Sequence, residues 1–488
     1  MPRRKTACCA AAILCLAAAQ ARADFTLVTV GDLIISRPLS MLQNEGAFPQ
    51  WKAFEGIRKQ LASGDVTYGN LETTIIDTRT FAGAPYSWDG DWMLSSVPAV
   101  ADDIKTMGIT LVSRANNHAL DWGLEGMRQT AERANDARLV AAGAGDTLAL
   151  ATRAAVAETP KGKVAIVSMA STFRPTTDAL DRDEATAPNG RPGIDGLRLA
   201  ASSMLDDDSY NQVAAIACSF QTTCPPVPSS LDLFGTAVRR AGAGEAAFTY
   251  VYGMNQTDLD RIAGAIRAAK KDGATYLVAT IHAHEALTDE APPKTWQDPA
   301  AFLRPLAHRM IDAGADAFVV TGIHHVAGIE IYNGKPIFYG HANFFWSDIQ
   351  EPLADDLYLS NGNRAILDET FGHPGRVTDS DLGLTLNANG SFATPEAPPS
   401  DNRVFQTFLA KSVFDETTRK VKEIRLYPID LGYGTKLTRS GVPRQASQII
   451  ADMVLNRVRA LSDPGSVTLT TEREGDYLIG IVKPKTSP

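Results

Sequence analysis

The sequence has few cysteines, no long apolar stretch and no excess of basic charge. Five of its 488 residues are cysteines, and three of them (Cys8, Cys9 and Cys15) lie close to the N-terminus. The most apolar run, Ala7 to Ala19, is shorter than the about 20 residues that cross a bilayer as a helix. We therefore expect no transmembrane helix. The formal net charge of −9 argues against a nucleic-acid partner, because phosphates select surfaces rich in lysine and arginine.

The N-terminal apolar run has the flanks of an export signal. Three basic residues precede it at positions 3–5, and Ala21-Arg22-Ala23 follows it. This order is typical of a secretory signal peptide over residues 1–23, cleaved near Ala23. Cleavage removes four positive charges and moves the formal net charge from −9 to −13. The mature chain is therefore expected in the periplasm or outside the cell.

The two remaining cysteines, Cys218 and Cys224, are separated by five residues in a proline-rich segment. In an exported protein this spacing favours one local disulfide. A zinc site is the alternative, but no second cysteine pair or neighbouring histidine supports it.

Strand, loop and helix patterns alternate along most of the chain and predict an α/β fold with a parallel sheet. We place one domain over residues 24–346, with an irregular insertion at about 171–247 that covers the site without joining the sheet. A second loop insertion is expected over 347–402. The C-terminal part, 403–488, should contain two paired strands and a helix opened by Pro443, which complete or pack on the domain.

The most informative stretch runs from Ser113 to Gly123 and contains Asn116-Asn117-His118. It lies between a predicted strand and a predicted helix, so it falls at the carboxyl end of a strand, where open α/β sheets bind ligands. The Asn117 side-chain oxygen can ligate a metal, and His118 can donate a proton. The alternative is an ordinary turn in which His118 caps the helix.

Other acids and imidazoles also follow predicted strands. Asp32 and Glu72 end two early strands, and six of the eight histidines lie at or beside strand ends, namely His118, His282, His284, His324, His325 and His341. The other two are His308, expected to be exposed on a helix, and His373 in the second insertion. Individually, Asp32 can be a helix cap and Glu72 a solvated acid. Together these residues predict a site for one or two divalent ions, with Mn, Fe or Zn favoured.

The motifs resemble those of the CapA family of bacterial capsule and poly-γ-glutamate synthesis proteins, which belongs to the calcineurin-like metallophosphoesterase superfamily. The resemblance rests on Gly31-Asp32, Gly69-Asn70-Leu71-Glu72, Asn116-Asn117-His118 with Asp121 and Gly123, Gly143-Ala144-Gly145, the His282 loop, and the run from Gly328 to Phe344. It implies a four-layer α/β/β/α sandwich with a dinuclear metal site at the strand ends.

By this resemblance, Asp32 matches the aspartate of the first motif and Glu72 stands where the superfamily has its bridging aspartate. Asn117 and His282 match metal ligands, and His118 matches the catalytic histidine. The loop from Gly322 to His325 matches the final histidine pair.

The sequence departs from the family pattern at three of these motifs. Ile34 stands where the superfamily has a metal-binding histidine. His284 or Glu285 is the functional neighbour of His282 in a shortened loop. A proline that normally separates the last two histidines is missing, so either His324 or His325 is the ligand. The full set of candidate metal ligands is Asp32, Glu72, Asn117, His282, His284, His324 and His325.

Two classes of function fit this pattern. The first is a metal-dependent hydrolase of the phosphoesterase type, in which His118 is the proton donor and Asp121 orients it. The alternative for Asp121 is that it binds helix N-terminal amides. The same site acting on an amide of the polymer is a variant of this class. The second is a non-catalytic accessory protein of capsule or poly-γ-glutamate assembly. The expected partners are an envelope polymer or a small phosphorylated or acidic substrate, and membrane-bound capsule synthesis proteins.

Overall fold

The computed structural model describes residues 24–36, 38–40, 51–86, 93–181, 190–220, 230–233, 235–243, 245, 247–285, 299–347, 403–433 and 441–485, with the backbone alone at 51–53. The predicted signal peptide, Cys224, His373 and residues 348–402 of the second predicted insertion lie outside these ranges. None of the helices within them combines the length and apolar character needed to cross a membrane.

The helices of the described chain are mostly amphipathic, and four of them begin at a residue whose side chain accepts a hydrogen bond from a first-turn amide. Their bounds are α1 (Trp51–Leu61), α2 (Ala99–Thr106), α3 (Gly123–Asp136), α4 (Leu148–Thr152), α5 (Asp207–Ser219), α6 (Gln256–Lys271), α7 (Leu303–Asp312) and α8 (Gln448–Leu461). The helix expected to open at Pro443 begins later, because Ser447 caps it and the residues before it form a short strand.

The strands fall into two large sheets and three small ones. In the first half of the chain they are β1 (Phe25–Ile35), β2 (Val66–Asn70), β3 (Thr74–Ile75), β4 (Ser95–Ser96), β5 (Leu111–Ser113), β6 (Val140–Ala142), β7 (Ala144–Gly145), β8 (Ala155–Thr159), β9 (Gly162–Ala170), β10 (Gly193–Ile194), β11 (Leu199–Leu205) and β12 (Ser230–Leu233). In the second half they are β13 (Thr236–Arg240), β14 (Thr249–Met254), β15 (Ala274–His282), β16 (Ala317–Thr321), β17 (Ile329–Tyr332), β18 (Lys335–Phe338), β19 (Asn343–Ser347), β20 (Gln406–Phe414), β21 (Val421–Asp430), β22 (Arg444–Gln445), β23 (Val467–Glu474) and β24 (Tyr477–Pro484).

The first large sheet has ten strands, with eight in the order β23-β24-β21-β20-β1-β2-β5-β6, while β19 pairs with β1 and β22 with β21. Strand β1 is parallel to β2 and β19 and antiparallel to β20. The second large sheet has the order β17-β18-β16-β15-β9-β8. The two C-terminal strands β20 and β21 pair with each other, so the chain returns to widen the first sheet.

Three apolar clusters define four layers. One cluster lies between the two large sheets and includes Tyr68 and Tyr276. A second joins α1, α2 and α3 to the outer face of the ten-stranded sheet, and a third joins α6 and α7 to the outer face of the six-stranded sheet. The predicted α/β/β/α architecture is therefore confirmed. Helix α8 packs on β20, β21 and β24, and its apolar residues belong to the cluster between the sheets.

The segment after about residue 171 is more regular than its composition suggests. Strands β11 to β14 form a separate sheet in the order β12-β13-β11-β14, and α5 packs on three of them. These strands were not predicted from the sequence, because short strands such as β11, with a mixture of small and polar residues, lack the alternation that marks a strand. Cys218, at the end of α5, is disulfide-bonded.

The parallel strands bring their carboxyl ends to a common edge. In the first sheet β1, β2 and β5 run parallel, and in the second β9, β15 and β16 do. Close packing at this edge requires a glycine at position 31, because a Cβ there would lie 1.6 Å from the carbonyl oxygen of Ala342. Asp32, the next residue, is thereby held against the segment that leads into β19.

Candidate metal centre

Glu72 is a fully buried carboxylate that accepts no hydrogen bond from the described residues. It lies two residues beyond β2, and neither of its side-chain oxygens has a hydrogen-bond partner within the described chain. Burial raises the pKa of Glu72 well above its usual value, and the nearby charge of Asp32 raises it further. An uncompensated carboxylate is costly in such a place unless a cation neutralises it. This orphaned acid is the strongest indication of a metal ion.

Asp32 is oriented by two hydrogen bonds from the surrounding backbone and side chains. The amide of Asn70 donates to Asp32 Oδ1 at 2.8 Å, and the backbone N–H of Gly322 donates to Oδ2 at 3.2 Å. The carboxylate therefore has a fixed direction, with Nδ1 of His324 at 3.4 Å from Oδ2.

His282, the last residue of β15, lies at the centre of the group. Its Nε2 is 3.5 Å from Glu72 Oε1, 2.9 Å from Asn117 Oδ1 and 2.9 Å from Nε2 of His284. Burial lowers the pKa of both histidines well below the usual value, and the charges of neighbouring histidines lower it further. Both imidazoles are thus held neutral, which is the form that ligates metals.

His324 completes the group from the loop after β16. Its backbone has a φ of +54°, which is unusual for a residue with a side chain. Its Nδ1 lies 2.8 Å from the Oδ1 of Asn343, the first residue of β19. The conformation is therefore maintained by a specific contact.

Two overlapping sets of ligand atoms can each hold an ion. Within each set the atoms lie within 4.8 Å of one another, and Glu72 belongs to both; the sets are Asp32, Glu72 and His282, and Glu72, His284 and His324. The side-chain oxygen of Asn117 lies 2.9 Å from Nε2 of His282, a member of the first set. Carboxylate and imidazole donors fit Mn, Fe or Zn. The residues present therefore fit a divalent metal, as the sequence predicted, and Glu72 is placed to be shared.

His118 and Asp121 form a pair beside these ligands. His118 Nδ1 lies 2.7 Å from Asp121 Oδ2, and His118 Nε2 lies 4.0 Å from Glu72 Oε1. Asp121 also accepts a 2.5 Å hydrogen bond from the Leu94 N–H, and Nη1 of Arg174 lies 2.9 Å from its other oxygen. Helix α3 has Trp122 at its N-cap and no side-chain cap there. Asp121 thus contacts His118 and not the helix amides.

Two other histidines, His325 and His341, lie outside the ligand sets. His325 belongs to neither ligand set, and its buried Nδ1 has no hydrogen-bond partner among the described residues. His341 is buried between Phe338 and Phe408 and contacts the Thr29 hydroxyl at 3.0 Å. Burial lowers the pKa of both to about 3.

The expectation that His308 is simply exposed was wrong. It stacks on Tyr332 and contacts Glu330 at 2.8 Å. Glu330, in the edge strand β17, accounts for the position of His308. The helical pattern of the sequence alone does not reveal this contact.

Asn70, Asn343 and Arg174 are site residues that the sequence reasoning did not select. Asn70 lies in the Gly-Asn-Leu-Glu motif and contacts Asp32 and, at 3.0 Å, Nδ1 of His282. Asn343 lies in the motif that ends in Phe344. Asn70 is the last residue of β2 and Asn343 is the first residue of β19. These positions beside strands could have identified both residues from the sequence. Arg174 lies in the predicted insertion and had no signal of this kind.

Comparison with known sequences decides the family. The model of a family described as "Bacterial capsule synthesis protein PGA_cap" matches residues 26–347. The chain belongs to this family. The matched region contains every residue of the two ligand sets, together with Asn117, His118 and Asp121, and the predicted resemblance to CapA proteins is confirmed.

Several known proteins are similar to this chain over long stretches. An uncharacterized protein of Sinorhizobium fredii (strain NBRC 101917 / NGR234) is 35% identical over 461 residues, which cover 92% of this chain and 91% of that protein. The capsule biosynthesis protein CapA of Bacillus anthracis is 22% identical over 349 residues, or 70% of this chain and 66% of that protein. A probable polyglutamine synthesis accessory protein of Mycobacterium tuberculosis (strain ATCC 25618 / H37Rv) is 27% identical over 283 residues, or 57% of this chain and 54% of that protein.

Proposed function

We propose that this chain is an exported, divalent-metal-dependent hydrolase of the metallophosphoesterase type that acts in capsule or poly-γ-glutamate biosynthesis. The observation that carries the proposal is Glu72, whose two buried oxygens lack hydrogen-bond partners within the described chain and face neutral histidines. A metal bound here beside His118 supports hydrolysis over polymer binding alone.

The metal would be held by the two ligand sets defined above, with Asn117 as an additional oxygen donor. A bound divalent ion lowers the pKa of water and polarises the oxygen of a scissile phosphoryl or acyl group. The hydrogen bonds that Asn70 and Gly322 donate to Asp32, and the one that the ring of His324 donates to the side-chain oxygen of Asn343, keep these side chains in one orientation. Ligand orientation of this kind tunes metal affinity.

His118 is the proton donor of the proposed reaction. Asp121 fixes the ring through Nδ1, so Nε2 faces the metal ligands, 4.0 Å from Glu72. From this position His118 gives its proton to the leaving group as a general acid. Arg174 forms an ion pair with the other oxygen of Asp121 and holds the carboxylate from that side.

The cellular role follows from the named relatives. Two of them are named for capsule biosynthesis or polyglutamine synthesis. By analogy we assign an envelope polymer, or a small phosphorylated or acidic intermediate of its assembly, as the substrate, and membrane-bound capsule synthesis proteins as partners. The N-terminal sequence supports export by its signal-peptide pattern.

One experiment separates the alternatives. Residues 24–488 are purified, their metal content is measured, and a chromogenic phosphodiester and a γ-glutamyl polymer are each tested with added Mn²⁺. Turnover of the phosphodiester supports the proposed function, and turnover of the polymer alone identifies an amide hydrolase. Bound metal without turnover of either would identify a non-catalytic accessory protein.

A further inference from the structure

A second group of polar side chains belongs to neither ligand set but includes the residue that follows the candidate ligand His324, and the charges of its two arginines both act on that residue. It contains Arg403, Arg457 and His325, which we call the basic cluster. Arg403 opens a single 3-10 turn that leads into β20, Arg457 lies on α8, and His325 follows the candidate ligand His324. These residues come from three distant parts of the sequence.

The basic cluster lies at the same edge of the sheet as the metal ligands. Strand β20 begins at Gln406 and runs antiparallel to β1, so its first residues lie near the end of β1 that bears Asp32. The amide of Asn343 connects the two groups, since its oxygen contacts Nδ1 of His324 at 2.8 Å and its N–H donates to the carbonyl oxygen of Val404 at 3.2 Å.

The positive charge of Arg457 is not compensated by an acid. Its Nη2 donates to the side-chain oxygen of Gln406 at 3.3 Å, while its buried Nη1 has no hydrogen-bond partner. No carboxylate of the described chain forms an ion pair with it. Burial lowers the pKa of Arg457 to about 10, and the positive charge of Arg403 lowers it further. A guanidinium remains charged at neutral pH even so.

The basic cluster has hydrogen-bonding capacity left over. Besides Nη1 of Arg457, Nδ1 of His325 is buried and has no partner among the described residues. Arg403 is exposed, so the cluster is reachable from solvent on that side, while α8 closes the other. Unsatisfied donors and an uncompensated charge in a partly buried place are expected where an anion binds.

We propose that Arg403, Arg457 and His325 form an anion-binding subsite that holds a carboxylate or phosphate group of the substrate beside the metal centre. This proposal rests on the proposed function, because it assumes that the anionic group belongs to a substrate of the metal centre. It restricts the substrate to molecules with an anionic group in addition to the bond that is cleaved. A polymer with a carboxylate on each unit satisfies this condition, as does an intermediate with a second phosphate.

The test compares Arg457→Met with Arg459→Met. Methionine keeps much of the aliphatic length of arginine and removes the charge. Arg459 lies on the same helix, is exposed, and contacts the carbonyl oxygen of Leu469 and the side chain of Asn456. Binding of inorganic phosphate, of a γ-linked glutamate tetramer, and of the same tetramer with its carboxylates amidated is measured by calorimetry, with and without Mn²⁺.

We expect the wild type and Arg459→Met to bind phosphate or the acidic tetramer alike, and Arg457→Met to bind it about tenfold more weakly or worse. The amidated tetramer should not bind at the subsite. Binding of phosphate alone would identify a phosphate subsite, and binding of the tetramer alone a carboxylate subsite. Equal affinity of the wild type and Arg457→Met for both anions would overturn the proposal, as would the absence of binding by the wild type.

Two further measurements make the result decisive. In anion-free buffer Arg457→Met should unfold at no lower temperature than the wild type, because the variant lacks an uncompensated charge. If Arg457→Met is destabilised, the binding test is repeated with Arg403→Met, which changes an exposed residue and leaves the buried side chains intact. Anion binding by Arg403→Met that equals that of the wild type would overturn the proposal. Anion binding that depends on Arg457 in a protein that takes up no metal would refute the proposed function and leave the subsite standing.

Discussion

His118 and Asp121 are joined by a 2.7 Å contact between Nδ1 and Oδ2, and the same carboxylate meets the guanidinium of Arg174 at 2.9 Å. The contact fixes which ring nitrogen of His118 faces the metal ligands. Since Asp121 is fully buried and its oxygens are engaged on both sides, the imidazole is held in one orientation. One ring nitrogen of His118, Nδ1, is therefore bound to Asp121, and the other, Nε2, is left for the proposed proton donation.

Replacing His118 by alanine should leave the metal content unchanged and reduce hydrolysis of the phosphodiester by about 10²–10⁴-fold, the usual contribution of a general acid. Steady-state kinetics and metal analysis on the same preparation check this. His308→Ala removes a histidine outside the site and should have wild-type activity. Full activity of His118→Ala would exclude the residue from the mechanism.

Asp121 and Arg174 should be energetically coupled. Removal of one partner leaves a buried charge unpaired, so Asp121→Asn and Arg174→Met should each lower the free energy of unfolding by about 3 kcal/mol. The double variant should lose less than the sum of the two single variants. Denaturant unfolding of the four proteins measures this. Strict additivity would show that the two side chains do not interact.

His284 and His325 are matched histidines for a test of the ligand sets. Nε2 of His284 lies 2.9 Å from Nε2 of His282, whereas His325 belongs to neither set. His284→Ala should therefore weaken metal binding, by about 10-fold or more, and His325→Ala should leave it unchanged. Competition with a metallochromic chelator provides both affinities. Weaker metal binding by His325→Ala than by His284→Ala would identify His325 as the ligand in place of His284.

The sequence was sufficient to predict that several of the candidate ligands, which follow buried apolar runs, lie near one another. Asp32 follows an apolar run within β1, which continues to Ile35, while Asn117 lies in the loop after β5 and His282 is the last residue of β15. Parallel pairing brings these parts of the strands to one edge. Local pattern and sheet topology together therefore predicted most of this edge.

The choice between His324 and His325 could not be predicted from the sequence. Adjacent residues differ only in the direction of their side chains, and that direction depends on the positive φ of His324. The contact of His324 with Asn343 joins the loop after β16 to the first residue of β19, so no pattern of neighbouring residues predicts it. His341 also follows a strand, yet it is buried between phenylalanines because β19 continues the chain into the core.

The burial of His341 predicts a pH dependence of stability. Its folded pKa of about 3 is below the unfolded value, so the unfolded chain binds a proton that the folded chain excludes between these values. Stability is then fully present above about pH 6.5 and is lost as the pH falls, by about 3 kcal/mol between pH 7 and 4. His341→Gln should unfold with a correspondingly shallower pH dependence. Identical dependences in the two proteins would contradict this assignment.

The most direct test of the metal centre is the metal content of residues 24–488 compared with that of the Glu72→Gln variant, after equilibration with Mn²⁺ and removal of unbound ions. Glutamine has nearly the same shape but no negative charge, and Glu72 belongs to both ligand sets. We predict one or two ions per wild-type chain and a loss of most of this metal in the variant. A wild type that retains no metal, or a variant that retains as much as the wild type, would contradict the account.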